Sequence, residues 1–426
     1  MNPAVILFVT FFVLLFLNIP IAVALAASSI VTMMSANLPL TFVATNLYAA
    51  AYKTVLLAIP FFILGGNIME KSGISERLIN FFRSLVGHTK HGIAMVCVIV
   101  ACFFAAISGS GPATVAALGA TLIPAMTKVG YEKATGAAMM STAGAIGIVI
   151  PPSITFVVYG SVTGTSIGSL FMSGIIPGIL IGIAIYFTMK ITSKGRVLET
   201  YPKASAKERL ASFSEAIWGI LMPVIILGGI YSGIFTPTEA AAVAAVYGFF
   251  VGLVIYRSLK LSDIMPILKD SISQTAVVMF IIGAAAVFGN TLTITGVAAK
   301  ASAALITISG RNKYIFLAMI NIILLIAGCF LDANSALYIL CPILFPVAMR
   351  LGINPIHLGA VMVVNLAIGL VTPPVGANLF IGCGIAGIQL KDMIVKIWPF
   401  VVACILVLLL ITYVPFISMF LPNLMS

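Results

Sequence analysis

Ile107-Ser-Gly-Ser-Gly-Pro-Ala-Thr114 and Gly144-Ala-Ile-Gly-Ile-Val-Ile-Pro-Pro-Ser153 interrupt what is otherwise apolar helix. Glycine and proline break helices, and a helix end at membrane depth is tolerated only where protein or a water-filled site receives its free backbone groups. About 222 residues later the pattern returns as Leu331-Asp-Ala-Asn-Ser335, followed by Ala367-Ile-Gly-Leu-Val-Thr-Pro-Pro-Val-Gly376. A duplicated pair of helix breaks points to a transporter core.

The register of the duplication extends well beyond these stretches. Pro124, Gly130, Gly147, Pro151, Pro152, Gly160 and Pro177 recur as Pro346, Gly352, Gly369, Pro373, Pro374, Gly382 and Pro399, all at an offset of 222. Upstream, Gly66-Asn67, Gly73 and Gly87 match Gly289-Asn290, Gly296 and Gly310 at an offset of 223, so one residue was gained or lost between the two sets. Breakers kept in register over such lengths mark an internal repeat.

Composition sets the solvent. Of 426 residues, 62% are hydrophobic and 8% charged, against about 25% charged in soluble domains. Apolar runs long enough for a core of about 30 Å recur from one end to the other. The first 18 residues carry no basic flank and no cleavage pattern, so they are expected to be a retained span. The six cysteines sit in apolar segments without Cys-x-x-Cys spacing and read as packing residues.

In chain order, residues 3–17 and 21–34 read as two spans meeting at Asn18-Ile-Pro20. Polar 35–53 leads into a third span, 54–69. Residues 70–92 mix Lys, Arg, His and Glu with Ile, Leu and Phe, the pattern of an arm helix lying in the interface. Residues 93–106 and 113–126, each about 14 long, flank the Ser-Gly-Ser-Gly-Pro break and are expected to form a re-entrant hairpin (93–127). A broken helix (134–163) and a span (170–189) complete the first repeat, 1–189. Residues 190–213 form a polar linker, and 214–426 repeat the plan with an arm at 297–312, a hairpin at 314–349 and a broken helix at 355–385.

The fold class expected is therefore an all-α polytopic membrane protein of two repeats, each with five crossings and one hairpin. An odd number of crossings turns the second copy upside down, so the repeats are inverted. With the linker in the cytoplasm, only Lys53, Lys300, Arg311, Lys313 and Arg350 of the 22 Lys and Arg fall outside. The net charge of +11 is then mostly topogenic rather than a nucleic-acid footprint, and both termini face away from the cytoplasm.

Ser108-Gly-Ser-Gly-Pro112 reads either as a small-residue helix contact or as an exposed tip whose carbonyls and hydroxyls replace the hydration shell of a hard cation. Pro112 in mid-run favours the tip. Asp332 is the sole carboxylate placed at membrane depth, where a charge costs at least about 2.5 kcal/mol. It reads equally as a functional group and as an N-cap, and one residue can serve as both. Thr236-Pro-Thr-Glu239 is a capping box. His88 and His91 lack a third ligand, and no nucleophile and base pair supports catalysis.

Inverted repeats with two hairpins, the Pro-Pro-Ser and Pro-Pro-Val-Gly breaks and Ile234-Phe-Thr-Pro-Thr-Glu-Ala240 resemble the large membrane subunit of a tripartite ATP-independent periplasmic (TRAP) transporter, over essentially the whole chain. The resemblance implies a sodium-driven importer of small organic acids in the bacterial inner membrane, with elevator-type architecture. Its partners would be a small membrane subunit of four spans and a periplasmic substrate-binding protein. Hairpins and broken helices would form the moving domain, with outer spans and arms as the scaffold. The chain lacks the four extra spans of fused members, so the small subunit is expected to be a separate polypeptide. Overall likeness to sialic-acid-type members favours sialic acid as cargo, a C4-dicarboxylate next. A carrier working without a binding protein, or an ion channel, is the alternative.

Site residues follow from these expectations. No chain of titratable groups lies at depth for a proton relay, so sodium ions are the expected coupling ions, with no other metal or cofactor. The sodium ligands expected are Ser108, Ser110, Gly144 and Ser153 in the first half, and Asn334, Thr372, Gly376 and Asn378 in the second. Thr114, Thr155, Asp332 and Asn365 are the substrate candidates. Because the breaks hold no Lys or Arg, the helix N-termini after Gly111 and Asn334 are expected to meet the carboxylate.

Overall fold

The structure, a computed structural model, describes residues 2–425, which form twenty α-helices and no strand. The first half runs α1 (Pro3–Phe16), α2 (Ile21–Ser35), α3 (Thr41–Ala51), α4 (Ala58–Lys71) and α5 (Ile74–Val86). It continues through α6 (Gly92–Ser108), α7 (Gly111–Lys128), α8 (Lys133–Ala145), α9 (Ile154–Thr163) and α10 (Ile167–Thr192). The second half runs α11 (Ala206–Tyr231), α12 (Pro237–Phe250), α13 (Leu261–Ile294), α14 (Val297–Ile308) and α15 (Lys313–Phe330). Then follow α16 (Ala333–Arg350), α17 (Pro355–Gly369), α18 (Ala377–Ala386), α19 (Leu390–Tyr413) and α20 (Phe416–Leu424).

Local chemistry sets many of these boundaries. Asn2 accepts from the Ala4 amide at 3.0 Å to start α1, and Thr236 and Glu239 complete the capping box of α12. The corner between span and arm is built identically in both halves. Gly73 (φ 70°) precedes α5 and Gly296 (φ 71°) precedes α14, at equivalent positions in a left-handed conformation that L side chains rarely adopt.

Two groups of helices pack against each other. The outer group holds α1 to α4 with α11 to α13: α2 and α3 lie on α13, and α12 lies on α4. The inner group holds the antiparallel pairs α6–α7 and α15–α16, the interrupted helices α8–α9 and α17–α18, and α10 packed along α19. Arm helices α5 and α14 touch both groups, α5 through α11 and α6, and α14 through α13 and α16. Helix α5 buries Ile74, Leu78 and Ile79 on one side and exposes Glu76 and Asn80 on the other.

Several boundaries differ from the sequence reading. The polar stretch before the third span contains a helix of its own, α3. Its counterpart in the second half is fused with the following span into the 34-residue α13, so the first copy carries a break at residues 52–57 that the second lacks. The hairpin arms are 17 and 18 residues long in the first copy and 18 each in the second, not about 14. At about 1.5 Å per residue they reach some 27 Å. The tip turn rather than short arms makes them hairpins. The linker is shorter than 190–213, because a Ser205–Glu208 capping box starts α11 inside it. Among the described residues eight helices are long and apolar enough to cross a membrane, both arms of the second hairpin among them, whereas α1 and α2 are shorter.

Candidate functional site

The two hairpin tips are built at equivalent positions, Ser110 and Asp332, which cap α7 and α16. Ser110 Oγ accepts from the Ala113 amide at 3.4 Å. The Thr114 hydroxyl donates back to the Ser110 carbonyl at 2.8 Å and lies 3.1 Å from Ser108 Oγ. Asp332 makes the stronger cap: Oδ2 accepts from the Asn334 and Ser335 amides, each at 3.1 Å, and Oδ1 accepts from the Ser335 hydroxyl. Charged acceptors make the shorter and stronger hydrogen bonds.

Each tip leans on the break beside it. Gly109 (φ 60°) passes so close to the Pro151-Pro152 break that a Cβ there would lie 2.9 Å from the Pro152 carbonyl oxygen. A Cβ on Gly147 would lie 2.6 Å from the Ser110 carbonyl oxygen. In the second copy the Gly376 amide donates to the Cys329 carbonyl at 3.2 Å, and a Cβ on Gly369 would lie 2.6 Å from Gly328 Cα. Ser153 caps α9, accepting from the Phe156 amide and donating to the Ile148 carbonyl at 2.6 Å. Thr372 turns its hydroxyl to the Ile368 carbonyl at 2.7 Å.

One of the contacts between the repeats lies behind the tips. Asn378 Nδ2 donates to the Ser141 carbonyl at 3.1 Å, and its Oδ1 is buried without a hydrogen-bond partner. A Cβ added to Gly111 would come 3.2 Å from the Gly144 carbonyl oxygen and 3.4 Å from Asn378 Nδ2. Gly111, Gly144 and Asn378 therefore converge, the glycines bringing carbonyl oxygens of the kind a hard cation takes and Asn378 its Nδ2 donor. Among the described residues no group of three or more His, Cys, Asp or Glu converges on one point.

A cavity of about 390 Å³ lies between the tips and the outer helices. Among the residues of the inner group that line it are four repeat-equivalent pairs: Ser110 and Asp332, Pro112 and Asn334, Ile148 and Leu370, Thr155 and Ala377. Phe104, Ser108, Gly109, Ala113, Ile154 and Ala333 line it without an equivalent there, so the first repeat contributes more of the wall. Helix α4 adds Ile63, Gly66, Asn67 and Glu70, and α13 adds Gln274, Val277, Val278 and Ile281.

Of the twelve site residues expected from sequence, Ser108, Ser110, Thr155, Asp332 and Asn334 line this cavity. Gly144, Ser153, Thr372, Gly376 and Asn378 lie behind the tips at the breaks. Thr114 and Asn365 do not reach the cavity. Thr114 is fully buried against Ser110. Asn365 is fully buried in α17, where Nδ2 donates to Asn321. The N-terminus of α16 also differs from expectation, because Asp332 already takes the amides that would face a carboxylate. Sequence reasoning missed Asn67, Glu70 and Gln274. Asn67 and Gln274 are paired, with Gln274 Nε2 donating to Asn67 Oδ1 at 3.5 Å.

The chain matches the family model described as Tripartite ATP-independent periplasmic transporter, DctM component, over residues 8–417. It is 45% identical to the C4-dicarboxylate TRAP transporter large permease protein DctM of Pseudomonas aeruginosa, over 89% of each chain. It is 42% identical to the isethionate TRAP transporter permease protein DctMQ of Oleidesulfovibrio alaskensis, over 98% of this chain and 66% of that one. It is 36% identical to the sialic acid TRAP transporter large permease protein SiaM of Vibrio cholerae, over 96% of each. The fold is similar to the crystal structure of the Alcanivorax borkumensis YdaH transporter, with a TM-score of 0.64 at 15% identity over 87% of this chain and 86% of that one.

Proposed function

From the premise that this chain belongs to the TRAP transporter large permease family, whose members are multi-pass transport proteins and not enzymes, we propose that it couples inward sodium flow to uptake of a small organic acid. The family implies a small membrane subunit and a periplasmic binding protein. In this reading the small subunit is a separate four-span polypeptide, the setting is the bacterial inner membrane, and both termini are periplasmic.

The observation that carries the proposal is the lining of the cavity by equivalent residues of both repeats. In transporters built from inverted repeats the substrate site lies where the repeats meet, and residues of both copies line this cavity. Hairpins, broken helices, α10 and α19 form the moving domain, and α1 to α4 with α11 to α13 form the scaffold.

The inner-group lining carries no Lys or Arg, so the α7 N-terminus, capped only by a neutral serine, meets the substrate's carboxylate. Asp332 at the other tip favours a cation beside it. Gly111, Gly144, Asn378 and the Ser108–Ser110 turn form one sodium site, and Asn334, Thr372 and Gly376 contribute to a second.

The cargo proposed first is a C4-dicarboxylate, because the relative of that name is the more similar at 45% identity. Isethionate follows through the relative at 42%, and sialic acid, the cargo expected from the sequence, comes after it at 36%. Uptake of succinate and N-acetylneuraminate into liposomes, with and without a sodium gradient, small subunit and binding protein, tests the first and the last of these. Uptake is expected only with all three. Uptake without a binding protein returns the chain to an ordinary carrier, and sodium-independent flux to a channel.

A further inference from the structure

The inner group brings four repeat-equivalent pairs to one cavity, whereas the scaffold splits its equivalent residues between two. Ile63, Gly66, Asn67 and Glu70 line the cavity from α4. Their equivalents at an offset of 223 are Ala286, Gly289, Asn290 and Thr293 on α13. All four line a different cavity of about 310 Å³, with Asn46 and Lys53 from the α3 side. The first cavity sits beside the corner of α4 and α5, and the second beside the corner of α13 and α14. The scaffold thus carries two stations in one repeat register, and the hairpin tips occupy one of them.

The stations differ in charge. The titratable groups lining the occupied station are Glu70 and Asp332. The other station, walled on the inner side by the body of α16 (Tyr338, Cys341, Pro342, Phe345, Pro346) and not by a tip, is lined by Lys53, whose Nζ donates to the Ser161 carbonyl at 2.7 Å, across from scaffold to moving domain. Among the described residues both ion pairs fall on Glu132, so Lys53 has no carboxylate partner. Asn46 and Asn290 are hydrogen-bonded to each other across the same cavity.

We infer that Asn46, Lys53, Asn290 and Thr293 form a second substrate station, which takes the carboxylate of the transported organic acid when the hairpin tips stand beside α13. The inference rests on the moving-domain reading proposed above. Moving the tips to the equivalent register brings the bound anion to Lys53, whose attraction in a partly desolvated cavity exceeds that in water. At the present station the anion faces Glu70 and Asp332 instead. The scaffold therefore favours binding at the Lys53 station and release at the Glu70 station.

The test uses the full chain with its six native cysteines replaced, locked by one disulfide at either station. Ala286→Cys with Ala333→Cys locks the tips at the Lys53 station without touching a proposed ligand, and Asn67→Cys with Ala113→Cys locks them where they now stand. Binding of radiolabelled succinate and N-acetylneuraminate, as carboxylate probes, is then measured on each locked form. Lys53→Gln is expected to weaken binding about tenfold in the first form and to leave the second unaffected, with Lys53→Arg restoring most of the loss. The same loss must persist with Asp332→Asn, since its disappearance would assign Lys53 to Asp332 instead of the substrate. Equal binding by Lys53→Gln and the parent in the first form, or no probe binding there, overturns the second station while the moving domain stands. If the Ala286 pair never cross-links although the Asn67 pair does, the moving-domain reading falls and the second station with it.

Discussion

Asn378 in the second repeat and Ser141 in the first hold each other by two reciprocal hydrogen bonds. The Asn378 amide donates to the Ser141 carbonyl and the Ser141 hydroxyl donates to the Asn378 carbonyl, both at 3.1 Å. Both residues are fully buried. Asn378→Ala leaves the Ser141 carbonyl with one acceptor contact fewer and deletes the orphan Oδ1 beside Gly111 and Gly144. A buried polar group left unsatisfied costs about 1–3 kcal/mol. A bound ion stabilises by about 2.7 kcal/mol at a hundred times its Kd. The expected outcome is a lower melting temperature that no longer rises with sodium. A variant that melts lower but keeps the full sodium-dependent rise places the ion elsewhere.

Gly144 offers a steric version of the same test. A Cβ there would lie 2.2 Å from Val115 Cγ2 and 3.1 Å from the Gly111 carbonyl oxygen. Gly144→Ala is expected to push α7 away from α8, raise the sodium concentration for half-maximal uptake severalfold, and cost about 1–3 kcal/mol of stability by overpacking. The pair Ser110→Ala and Thr372→Ala probes one hydroxyl in each repeat. Unchanged sodium dependence in both would remove those hydroxyls from the ion sites.

Asp332 separates capping from charge. Its carboxylate accepts from two amides and one hydroxyl at the start of α16. Asp332→Ala is expected to lose about 0.5–2 kcal/mol as a cap, and Asp332→Asn much less. If the negative charge serves the ion beside the tip, Asp332→Asn will melt near the parent temperature yet lose most sodium-driven uptake. Near-normal uptake by Asp332→Asn would reduce the residue to a cap.

What the sequence made legible follows from where its signals are local. Proline and glycine announce breaks by their own backbone limits, so the tips, the Pro-Pro interruptions and the repeat register could be read directly. The arm corners at Gly73 and Gly296 were visible only as matched positions. Their left-handed conformation needed coordinates. The Ser205–Glu208 capping box was a readable start signal, obscured by the polar run around it. Asn67 and Gln274 could not have been chosen, because facing one cavity depends on how α4 and α13 cross. Asn365 looked like a substrate contact for the same reason in reverse: an amide in an apolar helix is conspicuous, but packing turned it toward Asn321.

Glu132 gives a pH-dependent expectation outside the spans. It accepts from Arg196 of the linker at 2.7 Å and Lys396 of α19 at 2.9 Å. The Lys396 hydrogen bond, then that of Arg196, hold its carboxyl below the usual value of 4.5. A lowered value means the contribution is present above pH 4.5 and is lost as pH falls through the folded value. The pairs are partly exposed and worth little each. Glu132→Gln at neutral pH should therefore speed tryptic cleavage at Lys194 and Arg196 only a few-fold. With an acid-active protease the gap between parent and Glu132→Gln should close as pH falls through the folded value, below 4.5, because protonation then removes the parent's charge as well. Identical cleavage of parent and Glu132→Gln at neutral pH would detach Glu132 from the linker's docking.

The moving domain itself is the last expectation. Asn67 on α4 and Ala113 on the first tip line one cavity from opposite groups of helices, so a disulfide between Asn67→Cys and Ala113→Cys ties the tip to the scaffold at its present station. The sodium ligands proposed at Gly111, Gly144 and Asn378 all lie within the inner group, so the tie leaves their mutual geometry intact. Uptake with the small subunit and binding protein is expected to vanish on oxidation and return on reduction. Stabilisation by sodium should persist in both forms, because an ion that binds the folded state raises its melting temperature whether or not that state can move. Loss of sodium stabilisation on oxidation would mean that the ion site spans scaffold and tip. Uptake at the normal rate by the oxidised protein would exclude a travelling site and leave a fixed pore, gated at its ends, as the better account.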